Sequence, residues 1–104
     1  MTLGELLAEA ALQVAGVEAV TSSDGTRTWA RRGRPFATLS SDGSTTSFSL
    51  DPMVAAAAIR TPDVVASPLG PGWVAFTPIA LDEQAADRVA AWFASAYRRL
   101  EPRN

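Results

Sequence analysis

From Thr2 to about Ala15 the apolar residues return every three or four positions. Leu3, Leu7, Ala10 and Val14 form one stripe with Leu6 beside it, and Glu5 and Glu9 fall on the opposite side. That period predicts an amphipathic helix over 2–15. Thr2 and Glu5 are spaced as a capping box, and Gly16 stands where a helix C-terminal glycine belongs. After Val17 the period shortens to two. Segments near 18–22, 26–31, 35–40 and 45–50 alternate apolar and polar residues, broken by Asp24-Gly25, Arg32-Gly33-Arg34-Pro35 and Asp42-Gly43. Asp-Gly between alternating runs is a strong hairpin signal, so an antiparallel meander is expected.

The second half returns to helix. Asp51 is placed as an N-cap, Pro52 as the first helical residue, and the apolar run from Met53 to Ile59 stops before Pro62. Short strands are predicted at 64–66 and 73–77 around the turn Leu69-Gly70-Pro71-Gly72. A last helix spans about 82–100, buried through Val89, Trp92 or Phe93, Ala96 and Leu100. Asp82 and Glu83 open it and Arg98 and Arg99 close it, matching the helix dipole. The expected fold is one α+β domain over 1–104, a two-layer sandwich. Its helices lie on one face of an antiparallel-rich sheet, in the order α-β(3–4)-α-β-β-α.

Composition narrows the chemistry. The chain has 104 residues and contains no Cys and no His, and its cations are all arginine. These absences exclude disulfides, thiolate nucleophiles, imidazole bases, lysine Schiff bases and the P-loop lysine. Carboxylates, hydroxyls and Arg remain. No pair of carboxylates is spaced to act across a cleft, and no Asp-rich loop suggests Mg²⁺ or Ca²⁺. The reading is therefore non-enzymatic, with no cofactor and no metal. Gly70-Pro71-Gly72 precedes a strand rather than a helix, so it is a turn and not a phosphate loop. The first residues lack a basic leader and no run is long and apolar enough to span a bilayer, so a cytoplasmic protein with no membrane partner is expected.

Charge singles out one segment. The formal net charge is −2, yet Gly25 to Ser41 holds Arg27, Arg31, Arg32 and Arg34 and no acid. Such a hairpin can serve as a footprint for phosphate, with Trp29 stacking on a base or on an arginine. The alternative is that these arginines solvate exposed strand positions and protect an edge, with Trp29 in the core. Trp73, Phe76, Trp92, Phe93 and Tyr97 are spaced for core packing.

Several short stretches carry a resemblance. Thr28-Trp29-Ala30-Arg31-Arg32-Gly33-Arg34-Pro35-Phe36-Ala37 resembles the W-x-V-x-G-K-x-F-A signature of the MmcQ/YjbR family, following a helix and Gly16-Val17-Glu18. Gly72-Trp73-Val74-Ala75-Phe76 resembles the family's W-V-x-V strand, and Phe93 to Leu100 its last helix. Gly33, Arg34 and Phe36 match the G-K-x-F positions, with Arg34 in place of the lysine. The resemblance implies helices on an antiparallel-rich sheet and DNA binding through a double wing. The chain departs from the pattern in its acidic balance and in Ala66 to Gly72, which carry no cation. A second similarity is to small luciferase-associated domains sharing a G-W-V-x-F strand. The candidate nucleic-acid-binding residues are thus Arg27, Trp29, Arg31, Arg32 and Arg34, with DNA as partner. A protein-interaction or homodimeric module is the alternative, using a sheet edge or a patch around Trp73 and Phe76. A small-ligand carrier would need an enclosed pocket.

Overall fold

The computed structural model describes residues 2–100. Helix α1 (Leu3–Leu12) leads into four strands, β1 (Val17–Thr21), β2 (Arg27–Arg31), β3 (Arg34–Leu39) and β4 (Thr46–Ser49). Helix α2 (Pro52–Ala58), strands β5 (Val64–Ala66) and β6 (Trp73–Phe76), and the long helix α3 (Glu83–Arg99) follow. The strands form one antiparallel sheet in the order β1-β2-β3-β4-β6-β5. The fold is α+β in the order expected. Since β6 sits between β4 and β5, the β4–α2–β5 connection crosses over one strand.

Each helix starts where its cap dictates. The Thr2, Asp51 and Asp82 side chains accept from the backbone N–H of Glu5, Met53 and Ala85. α1 is shorter than its apolar stripe predicts. Gln13 and Val14 close it by donating to the Ala10 and Ala11 carbonyls respectively, and the Ala15 carbonyl accepts instead from the Tyr97 hydroxyl on α3. Gly16, with φ of 74°, therefore turns the chain into β1 rather than capping the helix.

One face of the sheet carries the core. Trp29, Ala37, Phe48 and Val74 follow one register row, with Leu39, Thr46, Phe76 and Val64 in the next. The β2–β3 register slips between Trp29 and Ala30, which pair with Ala37 and Pro35, leaving Phe36 as an extra residue. This bulge lets Phe36 and Ala37 both bury their side chains opposite Trp29. α3 lies across that face through edge-to-face aromatic pairs: Phe93 with Trp29 and Phe36, Tyr97 with Phe36, and Trp92 with Phe76. α1 lies beside α3 and adds Leu3 and Leu7. On the other face, Val20, Thr28, Thr38, Ser47, Ala75 and Val65 make a single row of small or branched side chains across all six strands.

α1 and α3 run the same way. Gly4, near the start of α1, lies against Leu39 and Arg27, while the far end of α1 meets Tyr97 near the end of α3. One end of the molecule therefore gathers both helix starts, the turns after β1 and β3, and Asp63. The other gathers both helix ends, the β2–β3 turn, and the chain leaving β4.

Candidate nucleic-acid interface

The β2–β3 connection is a two-residue turn. Arg32 and Gly33 have φ of 53° and 77°, the two positive values a type I′ hairpin requires. Holding arginine there costs about 1 kcal/mol of backbone strain. Arg31 and Arg34 flank the turn as a cross-strand pair. The fold thus brings Arg31, Arg32 and Arg34 together at the end where α3 finishes, beside Arg98 and Arg99. Arg27 is not among them: four residues back along β2, it sits roughly 13 Å away.

Each side chain has a definite setting. Trp29 is only 1% exposed, so it belongs to the core and has no face to offer a base. The guanidinium of Arg27 stacks on the Trp29 ring, 5.0 Å from its centroid. That of Arg31 lies 4.2 Å from the Tyr97 ring centroid and donates to the Tyr97 carbonyl at 3.4 Å. This carbonyl is in the last turn of α3 and also accepts from the Leu100 N–H at 3.1 Å, so Arg31 adds a second, cationic donor at the negative end of the helix dipole. That donation and the stacking should each be worth about 1 kcal/mol. Arg99 donates to the Ser49 hydroxyl at 2.9 Å. Arg32 and Arg34 are exposed. The contacts of Arg27, Arg31 and Arg99 are therefore rings, a carbonyl and a hydroxyl, none of which neutralises a positive charge.

The carboxylates lie mostly at the opposite end. Asp24 and Asp42 occupy equivalent places in the turns after β1 and β3, each within Ser-Ser-Asp-Gly. Asp42 accepts from the Ser40 hydroxyl and from the backbone and hydroxyl of Ser44, and these hydrogen bonds hold its pKa down to about 2. The Ser22 hydroxyl and the Thr26 N–H lower that of Asp24 in the same way. Asp63, Asp82, Glu83 and Glu5 share this end. At the arginine end the described acids are Glu18, opposite Ala30, and Asp51, the α2 cap. Sequence reasoning treated Arg98 and Arg99 only as partners of the helix dipole. Their place beside the turn could have been found only by knowing that α3 runs back along β3.

The other expected surfaces can be placed as well. Of the two residues expected to centre an apolar patch, Phe76 is fully buried and Trp73 half-buried, so Phe76 adds nothing to that surface. Exposed apolar side chains include Leu12 and Val20 before α2, and on and after α2 Met53, 82% exposed, with Ile59 also open. Among the described residues no group of three or more acids is placed to hold a metal ion, and no helix is long and apolar enough to cross a membrane. No protein-family model matches the chain, and no curated protein matches its sequence.

Proposed function

We propose that this protein is a non-enzymatic, cytoplasmic domain of the MmcQ/YjbR type that binds duplex DNA weakly, through phosphates, with its arginine-rich end. The observation that carries this reading is the segregation of charge along the strand axis. Arg31, Arg32, Arg34, Arg98 and Arg99 lie at one end, where the partners of Arg31 and Arg99 among the described residues are a ring, a carbonyl and a hydroxyl, while most of the described carboxylates lie at the other. Such an arrangement presents a local positive field despite the net charge of −2. Arginine suits the task because its planar fork grips two phosphate oxygens. With Trp29 buried, base stacking plays no part, and binding is insensitive to sequence.

The test is fluorescence anisotropy with a short duplex across a salt series. Affinity should fall steeply with salt, with a slope corresponding to roughly 2–4 phosphate contacts. Arg32→Gln combined with Arg34→Gln should lower that slope by about two contacts and weaken binding at every sequence tested. Unchanged binding by this double variant would exclude the turn as the site.

A second reading rests on α2. Its exposed residues, Met53 and Val54 among them, and the following Ile59 are apolar, and the helix has no charged residue. A protein-interaction or self-association role would use that surface. Light scattering should then give a mass above that of one chain, and Met53→Glu should return it to the monomer value. A monomer at all concentrations removes the self-association form of this reading.

A further inference from the structure

Between the β2–β3 turn and the end of α3 lies an open cleft of about 530 Å³, lined by Gly33, Arg34, Pro35, Ser49, Asp51 and Arg99, among others. Three chain segments wall it. The start of β3 brings Arg34, the end of β4 brings Ser49 and Asp51, and the last turn of α3 brings Arg99. Ser49 is 6% exposed, yet its oxygen accepts from Arg99 at 2.9 Å. A hydroxyl oxygen that accepts still has its own proton to donate, and a guanidinium that uses one N–H on Ser49 keeps others for a ligand.

The geometry points to a binding site for a phosphomonoester group, held between the guanidiniums of Arg34 and Arg99 with the Ser49 hydroxyl as third donor. Two cations on different walls, with a hydroxyl held by one of them, can approach a tetrahedral anion from several directions. A planar carboxylate would be satisfied by one guanidinium fork alone. The cleft is closed on one side by the chain turning from β4 into α2 at Asp51 and Pro52. It therefore suits a terminal, dianionic phosphate better than a phosphodiester, which continues in both directions. Asp51 is the opposing element. Its carboxylate accepts from the Met53 N–H at 3.0 Å and still places a negative charge at the rim, which weakens anion binding, so the attraction for a dianion comes from the two guanidiniums against this opposition. The site goes beyond duplex binding; it shares Arg34 and Arg99 with that reading but does not depend on it.

The experiment is a nuclear magnetic resonance titration of the full chain with inorganic phosphate at pH 8, where the dianion prevails. The signals followed are the Gly33, Ser49 and Leu50 amides and the arginine side chains. Saturable shifts confined to this cleft are expected. Arg34→Gln and Arg99→Gln, both at exposed positions, should each weaken binding about 10-fold or more. Asp51→Asn should tighten it by up to about fivefold while keeping α2 capped, since Asn caps as well as Asp. Shifts that do not saturate, that survive Arg99→Gln, or that weaken with Asp51→Asn would overturn the site. A nucleoside 5′-monophosphate and a 5′-phosphorylated oligonucleotide, each compared with its 5′-hydroxyl form, then show whether the phosphate belongs to a small molecule or a strand end. No advantage for either phosphate also overturns it. A 5′-hydroxyl duplex that fails to bind while phosphate saturates the cleft would remove the duplex reading and leave the cleft standing.

Discussion

Arg31 and Arg34 face each other across β2 and β3, where like charges ordinarily repel. Arg31 is drawn off onto Tyr97 and the end of α3, which leaves Arg34 to the cleft. A single residue type thus serves two purposes within one turn, closing a helix and presenting charge. Asp42 shows the same economy with the opposite sign. Its hydrogen bonds to Ser40 and Ser44 favour the ionised form, so its pKa in the folded chain lies near 2, below the ordinary value of about 4. A carboxyl depressed on folding stabilises the fold above its unfolded pKa, and that contribution is lost as pH falls through the folded one. The urea midpoint should therefore drop between about pH 4 and pH 2, and Asp42→Asn should flatten that drop. A variant with the parent's acid profile would mean that the turn opens before Asp42 titrates.

At the scale of elements, the order of helices and strands could be read from periodicity, because each segment's pattern agreed with its caps and turns. Thr2, Asp51 and Asp82 cap their helices as their spacing announces, and both Asp-Gly turns close hairpins. Features set by contacts distant in sequence were not legible. The early end of α1 depends on Tyr97, and the extra residue in β3 depends on the room that Phe93 leaves for Phe36. The candidate site divides the same way: the turn arginines stood out as a charge run, whereas Arg99 and Ser49 joined them only through tertiary packing. Gly72 is another such case. A Cβ there would come within 2.6 Å of the Leu50 carbonyl oxygen, at φ of 80°, while the Gly72 carbonyl accepts from the Leu50 N–H. Gly72→Ala should cost about 1–3 kcal/mol in denaturant unfolding. A loss no larger than that of a surface substitution would show that the turn before β6 can shift away from β4.

For the whole molecule, the acids at one end matter to binding at the other, since the field reaching a duplex is the sum of both. Asp82→Asn with Glu83→Gln, which keeps a capping side chain on α3, should raise duplex affinity severalfold at low salt. The gain should vanish once the Debye length shortens to about 8 Å near 0.15 M. A gain that persists at high salt would point to a local contact rather than a field.

Because α1 and α3 run alongside one another in the same direction, their peptide dipoles add instead of cancelling. The acids at their starts and the arginines at their ends place full charges of opposite sign beyond these partial ones, so the chain carries a large permanent moment along its strands. In front of any polyanion it would experience a torque before it experiences a contact. It would then arrive already turned, arginines first, a preference that dielectric relaxation can measure with no ligand in the tube.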